Sequence, residues 1–519
     1  MPSKVFSTAV IGLDSQIIEV EGDVSYGLRC FNIVGLPDKA VEESKERIGA
    51  AIKSSKLSSP HQQPLRVLIN LAPADLKKEG SLYDLPIALS YLLASKQIKF
   101  KNEEKIFIGE LALDGKLRPV KGALSFAILA KRIGIKEIIL PKENAKEASL
   151  IKDLRIVGLK NLTEVINYLE EKMEVPPLEN TADDFSRVPD YQIDLSWIKG
   201  QEYAKRALEI AAAGAHHFLM SGPPGGGKTL LAKTIPSLLP PLNFDESLEV
   251  TKIYSIAGLL SEENPFINFP PFRSPHHTAS EAALIGGGNP LRPGEITLSH
   301  RGVLFLDEFP EFHRDVLESL RQPLEEGKIM VSRLKNSFTF PARFMLVGAT
   351  NPCPCGYLND PEKPCTCTPS QISMYRRKLS GPLMDRFDIF IDVPAVKYEK
   401  LASDAAEDSS AKIREKITAA RELQRKRFNE DKISANRAHS DLCASVNSEM
   451  TIKEIKKYCK HDLKSQDLLR KYVDSRKLSA RGYHRILKVA RTIADLESAE
   501  NISYDHIAEA LMYRLRDRV

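Results

Sequence analysis

The chain is 519 residues long, 42% hydrophobic and 28% charged, with a formal net charge of +5. That length is too great for one hydrophobic core and implies roughly three domains, and the mildly basic balance permits a nucleic-acid partner without arguing for one. No run approaches the roughly 18 apolar residues of a membrane span; Thr8 to Leu13 is too short and interrupted for an export signal; and seven cysteines, four of them in one short loop, point to a reducing cytoplasm rather than a disulfide scaffold.

Taken in chain order, residues 1–172 alternate strand and helix signals. Strands are predicted over 30–34, 65–70, 106–108 and 137–140, and helices over 38–56, with Asp38 as N-cap, and over 123–133. Asp114-Gly115 between apolar runs signals a hairpin turn. Residues 173–193, rich in Pro, Asp and Ser, read as a linker, and so do the small and acidic residues 399–410. Between them lies a central block, 194–398. The last block, 411–519, is helical, with apolar residues every three to four positions over 411–428, 452–458, 466–474, 482–498 and 504–514.

The central block carries the chemistry. Gly222-Pro223-Pro224-Gly225-Gly226-Gly227-Lys228-Thr229 follows a short apolar lead-in and opens a helix. Glycines let backbone N–H groups curl around phosphates, the helix N-terminus adds its dipole, Lys228 neutralises charge on the β- and γ-phosphates, and the Thr229 hydroxyl ligates Mg²⁺. Some seventy-five residues on, the apolar strand 302–306 ends at Asp307-Glu308. Asp307 would hold Mg²⁺ through water, and Glu308 would polarise the attacking water. A third strand, 344–347, leads to Asn351, which either hydrogen-bonds that water or caps the next turn. Together these residues specify ATP and Mg²⁺ as cofactors and ATP hydrolysis as the reaction.

Two further features stand beside the nucleotide site. Residues 328–340 read as a β-hairpin with its turn at 334–337, carrying Arg333 and Lys335. Cys353-Pro354-Cys355 and Cys365-Thr366-Cys367 bracket a loop of turn formers. Four thiolates so gathered suit a tetrahedral structural Zn²⁺, although C-x-C is tighter than the usual spacing; an empty reduced cluster or a redox role are the alternatives.

Several stretches go beyond any generic ATP-binding pattern: DLSWIKGQ at 194–201, AKRALEIAAAG at 204–214, FRSPHHT at 272–278, the glycines 286–288, PGEI at 293–296, SGPLMDRFDI at 380–389 and SARGYHRILKVARTIADL at 479–496. In these the chain resembles the ComM/YifB family, the magnesium-chelatase-like branch of the AAA+ ATPases. The resemblance implies an α/β multidomain protein: an N-terminal Lon-peptidase-like domain of ribosomal-S5 type, a central AAA+ P-loop domain on a parallel sheet, and a C-terminal helical lid. It makes 272–299 an insertion within helix 2 of the AAA+ core. Arg386 matches the arginine finger reaching a neighbouring subunit's γ-phosphate, although read from the residues alone it could simply pair with Asp385 or Asp388. Arg481 matches the second sensor, with Arg485 one helical turn later as the other choice.

The resemblance further implies a homohexamer acting on DNA, with Arg333 and Lys335 contacting phosphates irrespective of sequence. The activity would be that of a translocase or helicase driving branch migration in homologous recombination or natural transformation. The alternative is a chelatase-type motor subunit that remodels a protein partner. A peptidase is not expected: the Lon-like Ser nucleophile falls near Leu82-Tyr83 and the base lysine at Leu124, with Ser81, Ser125 and Lys121 out of register.

Overall fold

The computed structural model describes residues 2–176, 178, 191, 193–288, 291–332, 337–358, 360–379, 381–396, 408–434, 444–475 and 478–514. They form two compact units. The first joins Met1–Arg187 with Asn243–Asn268 and Gly288–Pro293; the second holds Val188–Leu242, Phe269–Gly287 and Gly294–Val519.

The first unit opens with an antiparallel hairpin, Ser3–Ile11 and Asp14–Tyr26, to which Leu65–Ala72 adds antiparallel and Cys30–Val34 parallel at the edge. Ile18 and Val20 face the core while Glu19 and Glu21 point away, the period-2 alternation of a half-buried strand. Helix Lys39–Ser54 begins as predicted, with the Asp38 carboxylate accepting the Val41 amide at 2.8 Å. Helix Asp84–Ala94, by contrast, is buried without a break from Asp84 to Leu92. It therefore shows no amphipathic stripe, which is why periodicity alone does not announce it. A second, parallel sheet of Lys105–Phe107, Glu137–Pro141 and Arg155–Leu159 completes an α/β fold.

The segment Asn243–Asn268 is part of this unit although the sequence places it inside the central block. Its helix Phe244–Ala257 starts in a full capping box between Asn243 and Glu246. Leu248 and Phe266 pack on the cluster of Leu124, Phe126, Ile138 and Leu140. The buried Glu147 carboxylate accepts the Leu124 amide at 2.8 Å and the Ser255 hydroxyl.

The second unit is built on a five-stranded parallel sheet in the order Phe272–Arg273, Val303–Leu306, Met345–Thr350, Phe218–Ser221, Ile389–Asp392. Its three middle strands are buried at every position, as expected where helices cover both faces of a parallel sheet. Phe272 and Arg273, read from sequence as the start of an insertion, are the edge strand of this sheet. Helices Ser410–Ser434, Ile452–Tyr458, Leu463–Asp474, Ala480–Leu496 and Tyr504–Met512 form the C-terminal part, each overlapping its predicted span. One apolar cluster runs from Phe218 and Val347 in the sheet to Ile417, Val489 and Ile493 in these helices, so the lid shares a core with the sheet.

A buried polar network reinforces that junction. The Asp388 carboxylate pairs with Arg485 and His216, and His216 Nε2 lies 2.8 Å from the Thr492 hydroxyl. Burial alone would raise the pKa of Asp388. The Arg485 guanidinium and the neighbouring imidazoles override it and hold the carboxyl well below its ordinary value.

Candidate functional site

Strand order determines where the site forms. The strand Phe218–Ser221 lies between Met345–Thr350 and Ile389–Asp392, with Ser221 level with Thr350, and Leu306 level with Gly348 on the next strand. The residues that follow these strands, Gly222, Asn351 and Asp307, therefore leave the sheet at one edge. That edge, at the carboxyl ends of parallel strands, is where such sheets bind ligands.

The loop from Gly222 to Gly227 is shaped by glycine. Gly225 and Gly227 have φ of +79° and +84°, in the left-handed region. At Gly222 a Cβ would sit 2.1 Å from the Val393 carbonyl oxygen, so a side chain there would push the loop off the sheet. Helix Lys228–Leu238 begins directly after Gly227 with no side chain capping it. Its first N–H groups therefore face the loop. Gln201, itself at φ +58°, donates from Nε2 to the Gly226 carbonyl at 2.7 Å.

The predicted nucleotide residues are brought together. Lys228 Nζ donates to the Gly222 and Pro223 carbonyls at 2.6 and 2.8 Å and to Asn351 Oδ1 at 3.2 Å. Burial lowers its pKa, and Asp307 opposes that shift. The Thr229 hydroxyl donates to Asp307 Oδ2 at 2.7 Å, and Asp307 Oδ1 accepts the Glu308 amide at 2.9 Å. Glu308 has φ +50°, which turns its side chain away from the strand direction, and its carboxylate lies 3.3 Å from His277 Nδ1. Hydroxyl, carboxylate and ammonium thus converge in front of a helix N-terminus, a donor and ligand set suited to phosphate oxygens and a hard divalent cation.

The two arginines lie elsewhere. Arg386 is nearly buried, and its guanidinium donates to the Pro382 carbonyl and to Glu325. Neither predicted alternative partner, Asp385 or Asp388, is its ion-pair partner; Asp388 is taken by Arg485. Arg481 is largely exposed and approaches the same Glu325 at 4.0 Å. Arg485 also donates to the Arg386 carbonyl at 2.7 Å.

The four cysteine sulfurs of the 353–367 loop lie within 4.8 Å of one another. Cys353 is 3.3 Å from Cys355 and 3.7 Å from Cys365, and Cys355 is 3.5 Å from Cys365. Ligands about 2.3 Å from a tetrahedral zinc ion are separated by about 3.8 Å, so the cluster has the dimensions of such a site. The Tyr357 amide favours the Cys355 thiolate and pulls its pKa down to about 5.

The hairpin strands Lys328–Ser332 and Ser337–Pro341 pair antiparallel as predicted. Arg333 and Lys335 lie outside the described residues. In the N-terminal unit Leu124 and Tyr83 are core residues, the Ser81 hydroxyl donates to the Glu110 carboxylate, and the Lys121 side chain lies close to Gly258.

Four residues at these sites carry no role in the sequence reading: Gln201, His277, Glu325 and Gly356. Gln201 and His277 sit inside stretches that mark the family resemblance. Glu325 and Gly356 carry no local signal, because what they touch is distant in sequence.

Comparison with known proteins matches three families along the chain: "Subunit ChlI of Mg-chelatase" over residues 20–144, "Magnesium chelatase, subunit ChlI" over 194–401 and "Magnesium chelatase, subunit ChlI C-terminal" over 407–514. The competence protein ComM of Haemophilus influenzae is 42% identical over 99% of this chain and 98% of its own length. The protein YifB of Escherichia coli is 42% identical over 100% and 98%. The magnesium-chelatase 38 kDa subunit of Cereibacter sphaeroides is 27% identical over 30% of this chain and 52% of its own length. Among the described residues no helix is long and apolar enough to cross a membrane.

Proposed function

Because the chain belongs to the ComM/YifB family of magnesium-chelatase-like AAA+ proteins, we propose that it is a homohexameric, cytoplasmic ATPase that moves along DNA and drives branch migration in recombination or transformation. The observation that carries the ATPase reading is the convergence of Lys228, Thr229, Asp307 and Asn351 from three adjacent strand ends. In this reading Lys228 and the loop amides hold the phosphates, and Thr229 and Asp307 hold Mg²⁺. Glu308 takes the proton of the attacking water, and Asn351 orients that water. The bound ion would neutralise charge developing on the phosphates. The four-cysteine loop holds a structural zinc ion.

Arg386 serves the neighbouring subunit. Its partners here, Pro382 and Glu325, are not part of the phosphate loop of its own chain. The arginine would complete a site only when it leaves Glu325 for another subunit's nucleotide.

The DNA reading rests on the contrast in coverage: the competence protein matches from end to end, the chelatase subunit over less than a third of the chain. The test is ATP turnover with and without forked or four-way DNA. Stimulation is expected, falling with salt and lost in the Arg333→Ala, Lys335→Ala double variant. Turnover indifferent to DNA, with that variant silent, would exclude the translocase and favour the chelatase-type motor.

A further inference from the structure

We propose that the zinc-loaded cysteine loop braces the phosphate loop, so that metal occupancy and nucleotide affinity are coupled. The inference rests on the zinc reading above and adds to it a route between the two sites.

The route is short. Gly356, one residue after Cys355, is held at φ +85°, and its amide donates to the Cys353 carbonyl at 3.0 Å. Its open face lies against Pro224 of the phosphate loop: a Cβ at this position would be 2.5 Å from Pro224 Cδ. A second link runs through Asn351, two residues before Cys353, whose side chain receives Lys228 Nζ at 3.2 Å. After Cys367 the chain enters helix Pro369–Arg377 through a capping box at Thr368. The buried Tyr375 of that helix lies beside Thr350 and the Asn351 backbone. The cysteine loop is thus tied at its entry, middle and exit to residues that contact or form the phosphate loop.

The physical consequence follows from what each loop needs. A phosphate loop works by aiming several amides at one point, and displacement of a few tenths of an ångström weakens all of them together. The 353–367 loop has little apolar surface to order it. Four metal–sulfur bonds would supply that order and fix where Gly356 presses on Pro224. Coupling of this kind is reciprocal: if zinc tightens nucleotide binding, nucleotide must tighten zinc binding by the same factor.

The experiment follows zinc transfer from the full-length protein to a chromogenic chelator, with and without saturating Mg-ADP, after elemental analysis of the purified chain. Mg-ADP is expected to slow release by about fivefold or more, and Pro224→Ala is expected to remove most of that protection. A second variant, Gly356→Ala, keeps all four sulfurs but drives its Cβ into Pro224. At full zinc occupancy it should bind a fluorescent ADP analogue about tenfold more weakly, in the range of typical coupling energies. A chain that holds no zinc would sink the zinc reading itself. A zinc-loaded chain whose release rate ignores nucleotide leaves zinc in place and overturns the brace, as would unaltered protection in Pro224→Ala or unaltered affinity in Gly356→Ala.

Discussion

Arg386 and Glu325 form an ion pair in which the guanidinium is nearly buried and the carboxylate half exposed. Arg481 approaches that carboxylate as well. One acid therefore gathers the two arginines for which the family resemblance suggests work on the γ-phosphate, and the pair must open if Arg386 is to reach another subunit.

Arg386→Ala should lower ATP turnover by about 10³-fold or more, the loss associated with an arginine finger. Glu308→Gln should be similarly inactive. Mixed rings of the two variants should regain part of the activity, because some interfaces then combine an intact Glu308 with an intact Arg386. Steady-state ATPase assays of stable mixed rings check this, and no recovery would place Arg386 in service of its own site.

Lys228→Ala removes an ammonium that joins the loop carbonyls to Asn351. Charge-assisted bonds to phosphate contribute about 1.5–3 kcal/mol, so nucleotide affinity should fall by about 10- to 100-fold, with turnover abolished. Fluorescent-nucleotide titration reads the affinity. Binding equal to that of the unaltered chain would contradict the assignment.

Asp388 provides a pH test of the lid junction. Its folded-state pKa is depressed, so the stability it contributes is fully present above the unfolded value of about 3.9 and is lost as pH falls below that value. Asp388→Asn should cost about 1–3 kcal/mol near neutrality, because it leaves the partly buried Arg485 without its charge partner. Urea midpoints measured from pH 6 to pH 3 should show a constant gap between the two proteins down to about pH 4 and a shrinking gap below it. A gap that widens in acid would refute the assignment.

The N-terminal unit should not cleave peptide bonds. Ser81 donates its hydroxyl to a carboxylate, Glu110, and a leucine of the core stands where the resemblance expects the lysine base. Casein incubated with purified protein should stay intact. Hydrolysis that disappears in Ser81→Ala would overturn this.

The parts legible in the sequence are those whose function forces a local pattern. The glycines of 222–227 are required by backbone geometry, and the lysine and threonine after them are the residue types that a phosphate and metal site would require. The C-terminal helices announce themselves by apolar spacing, and 452–458 coincides with the observed helix Ile452–Tyr458. The buried helix Asp84–Ala94 has no polar face to mark it. The strand Asp14–Tyr26 does alternate, with Ile18 and Val20 inward and Glu19 and Glu21 outward, a period-2 signal that the sequence reading leaves unassigned. Glu325 lies 61 positions before Arg386, and Gly356 is 132 positions after Pro224, so neither contact is legible without the fold.

The helix Phe244–Ala257 has a further consequence for how this molecule can be cut. Leu248 and Phe266 complete a core whose other members lie before residue 157. A protease that severs the chain near residue 180 would release no self-sufficient N-terminal fragment, because part of its interior is encoded after the phosphate loop. The two units are spliced rather than strung in series. Expressed alone, residues 1–187 should be less stable than the same residues supplied with a peptide spanning 243–268, and restored folding on adding that peptide would show it directly.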